Sequence, residues 1–415
     1  TDFFEALNDL LIIYKHVPSI TNYPVYLGQL DYLLEPFITD MDDATVKKHL
    51  KLFFTNVDRT VLDSFSHADI GPKATRAGYL ILEVQAELEN AIPNISMKYD
   101  PEITDDDFAL ACVKCALKTA KPSFANHRMF KNELGENYVI ASCYNGLLLG
   151  GGAYTLCRLI LGHIAERSAG IEDFKNNQLP YVMDVMAKYM DARIAFEVEQ
   201  SGFFESNFLA KEGLIHRDSF TGMFGLVGLA DAVNVLMTKE GKDDRFGHSD
   251  AATQLGIEIM DIINEFNNNH FNKYCEGTGS HFLLHAQVGI AEDKGIAPGT
   301  RIPIGEEPEE LVDHLNVISN FHKYFVSGTG DIFPVDLTVH KNPEYVLDII
   351  KGSWQKDIRY LSFYSSDSDV IRITGYLVKR SEIEKYEQSN AVLQNTTQLG
   401  TGAKKNGRIL ERKVR

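Results

Sequence analysis

The chain is predicted to fold as an α/β protein, because helix-like and strand-like segments alternate along it and glycine-containing turns separate them. Of its 415 residues, 44% are hydrophobic, enough to bury one large core or two ordinary ones. Pro/Ser-rich linkers, long charge blocks and repeats of fixed period are all missing from the sequence. One continuous domain is therefore the simpler reading.

The elements follow in order. Phe3, Phe4, Leu7, Leu10, Leu11 and Tyr14 keep a helical rhythm, as does the stretch 76–92, so the first hundred residues read as helices. Asp105, Asp106 and Asp107 precede another apolar helix, where acidic groups suit the N-terminal dipole. The stretch 138–164 reads as a short strand from Tyr138 to Ala141, a glycine-rich turn and then a helix. A further helix is predicted from Thr221 to Met237, with Gly225 and Gly228 allowing close packing. Near the end, Asp369 to Leu377 reads as a buried strand interrupted at Gly375.

Charge and cysteine content narrow the function classes. A net charge of −17 repels phosphate backbones, which makes nucleic acid an unsuitable partner. The basic residues from Lys404 to Arg415 read as a solvated terminus. No apolar run is as long as a membrane span, and no signal peptide is visible. Five cysteines in so long a chain do not make a disulfide framework, so a reducing cytoplasm is the expected location. The chain opens at Thr1 in mid-pattern and reads as trimmed at its N-terminus.

Two segments carry chemistry. In VIRITGYLVK, residues 370–379, a central glycine weakens a strand unless the backbone must bend or approach something closely. A glycine α-carbon also holds an unpaired electron well, since the spin spreads into both neighbouring peptide groups and no Cβ opposes planarity. In ASCYNGLLLGGGAYTLCRL, residues 141–159, Cys143 stands where a strand gives way to a flexible loop, from which a thiol can project into a cavity. Each segment alone also admits a plain structural role: a bulge for Gly375, a buried small hydrophobe for Cys143.

Taken together, RITGYLVK resembles the radical-bearing loop of the glycyl radical enzymes, whose usual form is Arg-Val-x-Gly-Tyr; here Ile373 replaces the valine. SCYNGLLLGGG falls where that superfamily carries its thiyl-forming cysteine. More closely, the chain resembles the YjjI-type branch, through KPSFANHRMF (121–130), APGTRIPIGEEP (297–308), FVSGTGDIF (325–333) and NTTQLGTGAKKNGRILER (395–412) as well.

The resemblance implies a ten-stranded barrel of two five-stranded half-sheets wrapped by helices, with a cysteine loop and a glycine loop meeting at its centre. It divides the chain into a mainly helical part (1–120), a barrel part with the cysteine loop (121–365), and a glycine loop with its tail (366–415). It implies a radical stored on Gly375 and passed to Cys143, which attacks a small organic substrate. The cofactor is then the protein-derived glycyl radical, with nothing else tightly bound. The implied partner is a radical activating enzyme, to which S-adenosylmethionine and the iron–sulfur cluster belong; a homodimer is also compatible.

The sequence departs from several branches of the superfamily. Asn145 stands where the eliminating enzymes carry a glutamate, and Ser142 and Tyr144 flank Cys143 where a cysteine pair would serve acyl transfer. No cysteine follows Cys275, so the zinc site of the anaerobic ribonucleotide reductases is missing and no metal is expected. The reaction, of lyase, dehydratase or reductase type, stays open.

Asn126, His127, Asn145, Glu276, His281, His285 and Asp331 are candidates for substrate contact or proton transfer. His281 and His285 have the i,i+4 spacing of one helix face. Cys112 and Cys115 share the apolar face of a predicted helix and read as core thiols. The competing functions are a non-catalytic binding relative of the same barrel and a polar hydrolase built on Cys143.

Overall fold

A computed structural model describes residues 2–21, 26–61, 66–141, 144–286 and 295–415. Its strands are β1 (Tyr26–Gln29), β2 (His67–Ile70), β3 (Asn94–Tyr99), β4 (Ser123–Asn126), β5 (Tyr138–Ala141), β6 (Asn145–Leu148) and β7 (Gly152–Ile160). There follow β8 (Phe220–Val227), β9 (Leu283–Ala286), β10 (Asp331–Val335), β11 (Tyr360–Ser365), β12 (Val370–Arg372) and β13 (Leu377–Lys379).

They form a six-stranded sheet, β1-β2-β3-β4-β11-β10, a three-stranded sheet, β7-β8-β9, and the hairpins β5-β6 and β12-β13. Strands β1 to β4 run parallel, and the direction reverses where β11 meets β4. The two sheets touch where the Ala286 N–H, at the end of β9, donates to Gly328 O just ahead of β10 (3.2 Å). The succession β11-β10-β9-β8-β7 therefore supplies five strands on one side of the reversal, and β1 to β4 supply the described strands of the other.

Alternation of side chains gives the six-stranded sheet two unlike faces. Ala68, Ile70, Ile95, Met97, Phe124, Leu361 and Phe363 join the main apolar core with the surrounding helices. His67, Asp69, Asn94, Ser96, Lys98, Ser123, Tyr360 and Ser362 occupy the other positions and are buried too. A face both buried and polar must line something other than a packed core, because unpaired polar groups are costly out of water. Here it receives the two hairpins.

Several expectations hold. The helix Asp106–Thr119 starts at Asp105, whose carboxylate accepts from the N–H groups of Asp107 and Phe108. Cys112 and Cys115 are buried on it, and burial pushes the Cys115 thiol up to about 11.

Other expectations are corrected. The first hundred residues are not all helical: β1, β2 and β3 lie there, and the sheet draws strands from both sides of residue 120. Residues 152–160 and 220–227 are the paired strands β7 and β8, with helices beginning only at Leu161 and Leu229. Apolar runs of this length fit a buried strand as well as a helix, and tertiary pairing decides. A Cβ at Gly225 would lie 2.6 Å from Cys157 O, so the glycine serves strand approach, not helix packing. Gly228, at φ +74, is the turn between β8 and its helix.

His281 and His285 do not share a helix. His281 follows a turn in which Gly279 and Ser280 have positive φ, and His285 lies on β9, paired with Gly225. Nor is the basic tail a solvated terminus: Ile409 and Arg412 are buried, and Arg415 donates its backbone N–H to Pro334 O (2.9 Å).

Candidate functional site

Gly375 sits in a turn between two short antiparallel strands. Val370, Ile371 and Arg372 pair with Lys379, Val378 and Leu377, and the Ile373 N–H donates to Tyr376 O (2.9 Å), leaving Thr374 and Gly375 as the turn. Every residue from Val370 to Val378 is buried. The apolar members shield the backbone from water, and the polar contacts fix it. Asn94 on β3 donates its amide to Gly375 O at 2.9 Å and accepts from the Arg372 guanidinium at 2.7 Å. Arg372 also donates to Ala120 O (3.2 Å). From the other side Arg412 donates to Arg372 O (2.7 Å) and to Ile373 O.

Cys143 falls in sequence between β5 and β6; it and Ser142 lie outside the described residues. The flanks are firmly held. The Ile140 N–H donates to Asp69 Oδ2 at 3.0 Å, and Lys98 Nζ donates to Tyr138 O at 2.8 Å. Tyr144 donates its hydroxyl to Ala286 O (3.0 Å), and the Gly146 N–H donates to Ser327 O (3.0 Å). Its ring packs against those of Tyr360, 5.7 Å away, and His285, 6.1 Å away.

Strand β3 joins the two hairpins. Asn94 holds Gly375, and two residues along the same face Ser96 bonds to Tyr360 Oη at 2.8 Å, the tyrosine that packs on Tyr144.

Burial sets the electrostatics of this interior. Asp69 is pushed up to about 6 by desolvation, against the pull of Lys98, the Ile140 N–H and the Tyr26 hydroxyl. Asp31 is pushed up to about 7 by the same cause. Desolvation lowers Lys98 and takes His285 down to about 4, so the imidazole is neutral near pH 7. Asp331 is the opposite case: despite its burial, the imidazoles of His314 and His322 and the Arg301 charge hold its carboxyl well below the usual range. His322 donates from Nε2 to Asp331 (3.0 Å), since its Nδ1 accepts from the Arg359 N–H (2.9 Å).

The remaining sequence candidates fall in different places. Asn126 caps the helix His127–Leu134 and donates to Ile358 O (3.1 Å). His127 is buried and shares a hydrogen bond with Tyr138 Oη (2.9 Å), beneath the cysteine hairpin. Asn145 begins β6, and its Oδ1 is buried with no hydrogen-bond partner among the described residues. Glu276 stands exposed in a 3₁₀ turn, and His281 bonds to His270 O (2.9 Å); neither reaches the enclosed interior. Asp331 opens β10.

Sequence reasoning did not single out Asn94, Asp69, Lys98, Arg301 or Arg412. A signal did exist for the first three: the polar residues of NISMKY and HADI alternate at period two within otherwise apolar strands.

Solved structures that superpose on the chain are glycyl radical enzymes. One from Archaeoglobus fulgidus matches at TM-score 0.78 and 13% identity, over 99% of this chain and 68% of its own. The glycerol-bound B12-independent glycerol dehydratase of Clostridium butyricum matches at 0.75 and 12%, over 100% and 67%. At such identities the likeness establishes the fold, that of the glycyl radical enzyme barrel.

The family model for YjjI-like glycyl radical enzymes matches residues 1–415, and the chain belongs to that family. An uncharacterized protein of Haemophilus influenzae is 48% identical over 417 residues, covering 100% of this chain and 80% of that protein. YjjI of Escherichia coli, also described as uncharacterized, is 42% identical over 415 residues, with the same coverage.

Proposed function

We propose that this chain is an oxygen-sensitive enzyme that stores an unpaired electron on Gly375 and passes it to Cys143. The observation that carries the reading is the burial of Gly375 in a turn whose backbone is gripped by Asn94 on one side and Arg412 on the other. Such enclosure keeps water and oxygen from the α-carbon and fixes the two peptides over which the spin would spread. Family membership supports the same reading.

The steps balance as hydrogen-atom exchanges. The glycyl α-carbon radical takes the hydrogen from the Cys143 S–H, giving a closed-shell glycine and a thiyl. The thiyl takes a hydrogen atom from a substrate C–H bond, or adds to a substrate carbon. Where the thiyl has abstracted a hydrogen, the rearranged product radical takes it back from the thiol; where it has added, cleavage of the C–S bond releases it. In either case the regenerated thiyl takes the α-hydrogen of Gly375, and the unpaired electron returns there. Enclosure of the reacting atoms supplies much of the catalysis.

Creating the radical needs an outside oxidant. A radical activating enzyme using S-adenosylmethionine and an iron–sulfur cluster would remove one Gly375 hydrogen. It can reach that atom only if the C-terminal segment carrying Arg412 moves aside.

The test is an anaerobic electron paramagnetic resonance spectrum of the chain with its activase, wild type against Gly375→Ala. A doublet from one α-hydrogen that disappears in the variant is expected, and air should then cleave the activated chain near Gly375. No doublet under conditions that activate a control enzyme would overturn the reading.

A further inference from the structure

Arg301 carries one unmet N–H donor among the described residues. It lies near the start of the described segment that begins at Gly295, and its Nε donates to Gly330 O at 2.6 Å. Its guanidinium carbon lies 5.7 Å from the centre of the Tyr144 ring, next to the cysteine hairpin. Nη2 of the same group is buried and has no hydrogen-bond partner among the described residues. Leaving a charged donor buried and unsatisfied is among the costlier things a folded chain does.

The same guanidinium lines a cavity of ≈ 250 Å³, together with Thr374, Asp331, His314 and Arg412. Thr374 precedes Gly375 in the turn, and its Oγ1 is likewise buried with no partner among the described residues. The cavity thus reaches the turn of the glycine hairpin, and two of its lining residues, Arg301 and Thr374, each carry an unmet hydrogen-bonding group.

Charge counting indicates what would meet them. Arg301 and Arg412 each contribute one positive charge, and the ionised Asp331 contributes one negative. His322 and His314 are neutral, since each accepts at Nδ1, from the Arg359 N–H and from the Arg415 guanidinium. Arg412 spends its N–H groups on the carbonyls of Arg372 and Ile373. The outer charged groups, Asp231, Glu306, Glu307 and Arg408, are exposed or half-exposed and screened by water. One positive charge is left over at the inner end, shared between Arg301 and Arg412, and of the two only Arg301 keeps an unmet N–H among the described residues.

We propose that the substrate is a small monocarboxylate, its carboxylate held by Arg301 and the Thr374 hydroxyl beside Gly375. This rests on the radical reading of Gly375 and Cys143 and adds the class of substrate. A neutral polyol would leave the guanidinium uncompensated, and a dianion such as a phosphate ester would exceed the available charge.

Binding can be tested on the resting full chain, with no radical present. The probes are acids paired with the alcohols that replace the carboxylate by CH₂OH: pyruvate with hydroxyacetone, lactate with 1,2-propanediol, and 3-hydroxybutyrate with 1,3-butanediol. Saturation-transfer NMR titrations should show at least one acid binding roughly tenfold or more tightly than its alcohol. Arg301→Gln should weaken that acid by about ten- to a hundredfold, and Arg301→Lys by less, in variants that circular dichroism shows to be folded.

Equal binding of acids and alcohols, no binding by any acid, or undiminished affinity in Arg301→Gln would each overturn the proposal. Activated Arg301→Gln should still give the glycyl doublet. Conversely, a wild type that binds the acid but gives no doublet would overturn the radical reading and leave the carboxylate site standing.

Discussion

Asn94 Nδ2 lies 2.9 Å from Gly375 O, while Asn94 Oδ1 accepts from the Arg372 guanidinium of the same hairpin at 2.7 Å. One side chain on a barrel strand thereby fixes both the strand and the turn of the glycine hairpin. Asn94→Ala would leave buried groups without partners and should cost about 1–3 kcal/mol of stability in urea titrations. Since delocalisation of the spin needs a planar, fixed peptide, the yield of the glycyl doublet after activation should fall as well. Retention of full yield would show that Asn94 serves folding alone.

Arg412 fastens the C-terminal tail to the hairpin through the carbonyls of Arg372 and Ile373. Arg412→Ala should loosen residues 370–379, raising their amide exchange roughly tenfold or more by mass spectrometry. If opening limits activation, the variant should also be activated faster and lose its radical sooner in the resting state.

Gly328 has φ +117, and a Cβ there would lie 2.0 Å from Tyr144 O. Neither strain can relax without moving the flank of the cysteine hairpin, so Gly328→Ala should destabilise by on the order of 3 kcal/mol or more. A calorimetric melting curve suffices to check this. Gly202→Ala is a useful control, because its φ is also positive but nothing lies within 4 Å of the added atom.

Asp31 accepts from the Gly71 and Tyr32 N–H groups and is pushed up to about 7 by burial. With the native carboxyl raised above its unfolded value, the folded state holds the extra proton between about pH 4 and 7. The contribution of Asp31 to stability is therefore full at low pH and lost as pH rises through 7. Asp31→Asn removes this dependence, so wild type should lose about 2–3 kcal/mol relative to the variant between pH 5 and pH 8. Urea midpoints at the two pH values measure the difference; parallel changes in both proteins would show that Asp31 is not the titrating group.

How far the site could be read in advance differs residue by residue. Gly375 stood out because a glycine inside VIRITGYLVK contradicts its apolar surroundings, a conflict visible in one short window. Cys143 stood out through the glycine-rich segment that follows it. His281 and His285 misled, because i,i+4 spacing belongs to helices and the positive φ at Ser280 turns the chain into β9 instead. Arg301 and Arg412 gave no local sign, being ordinary basic residues in loop-like sequence, and their roles arise from carbonyls far away in the chain.

The sequence by itself determined the class of fold, the buried helix with Cys112 and Cys115, and the two short motifs, because periodicity and local conflict are properties of neighbouring residues. Tertiary structure alone decided that 152–160 and 220–227 would be strands, since apolar runs of that length are stable in either form until a partner strand is supplied. It also decided that β3 would join the hairpins, and that a basic tail would close over Gly375. Those arrangements rest on hydrogen bonds such as Asn94 to Gly375, spanning 281 positions of the chain. They exist only once the barrel has brought their ends together.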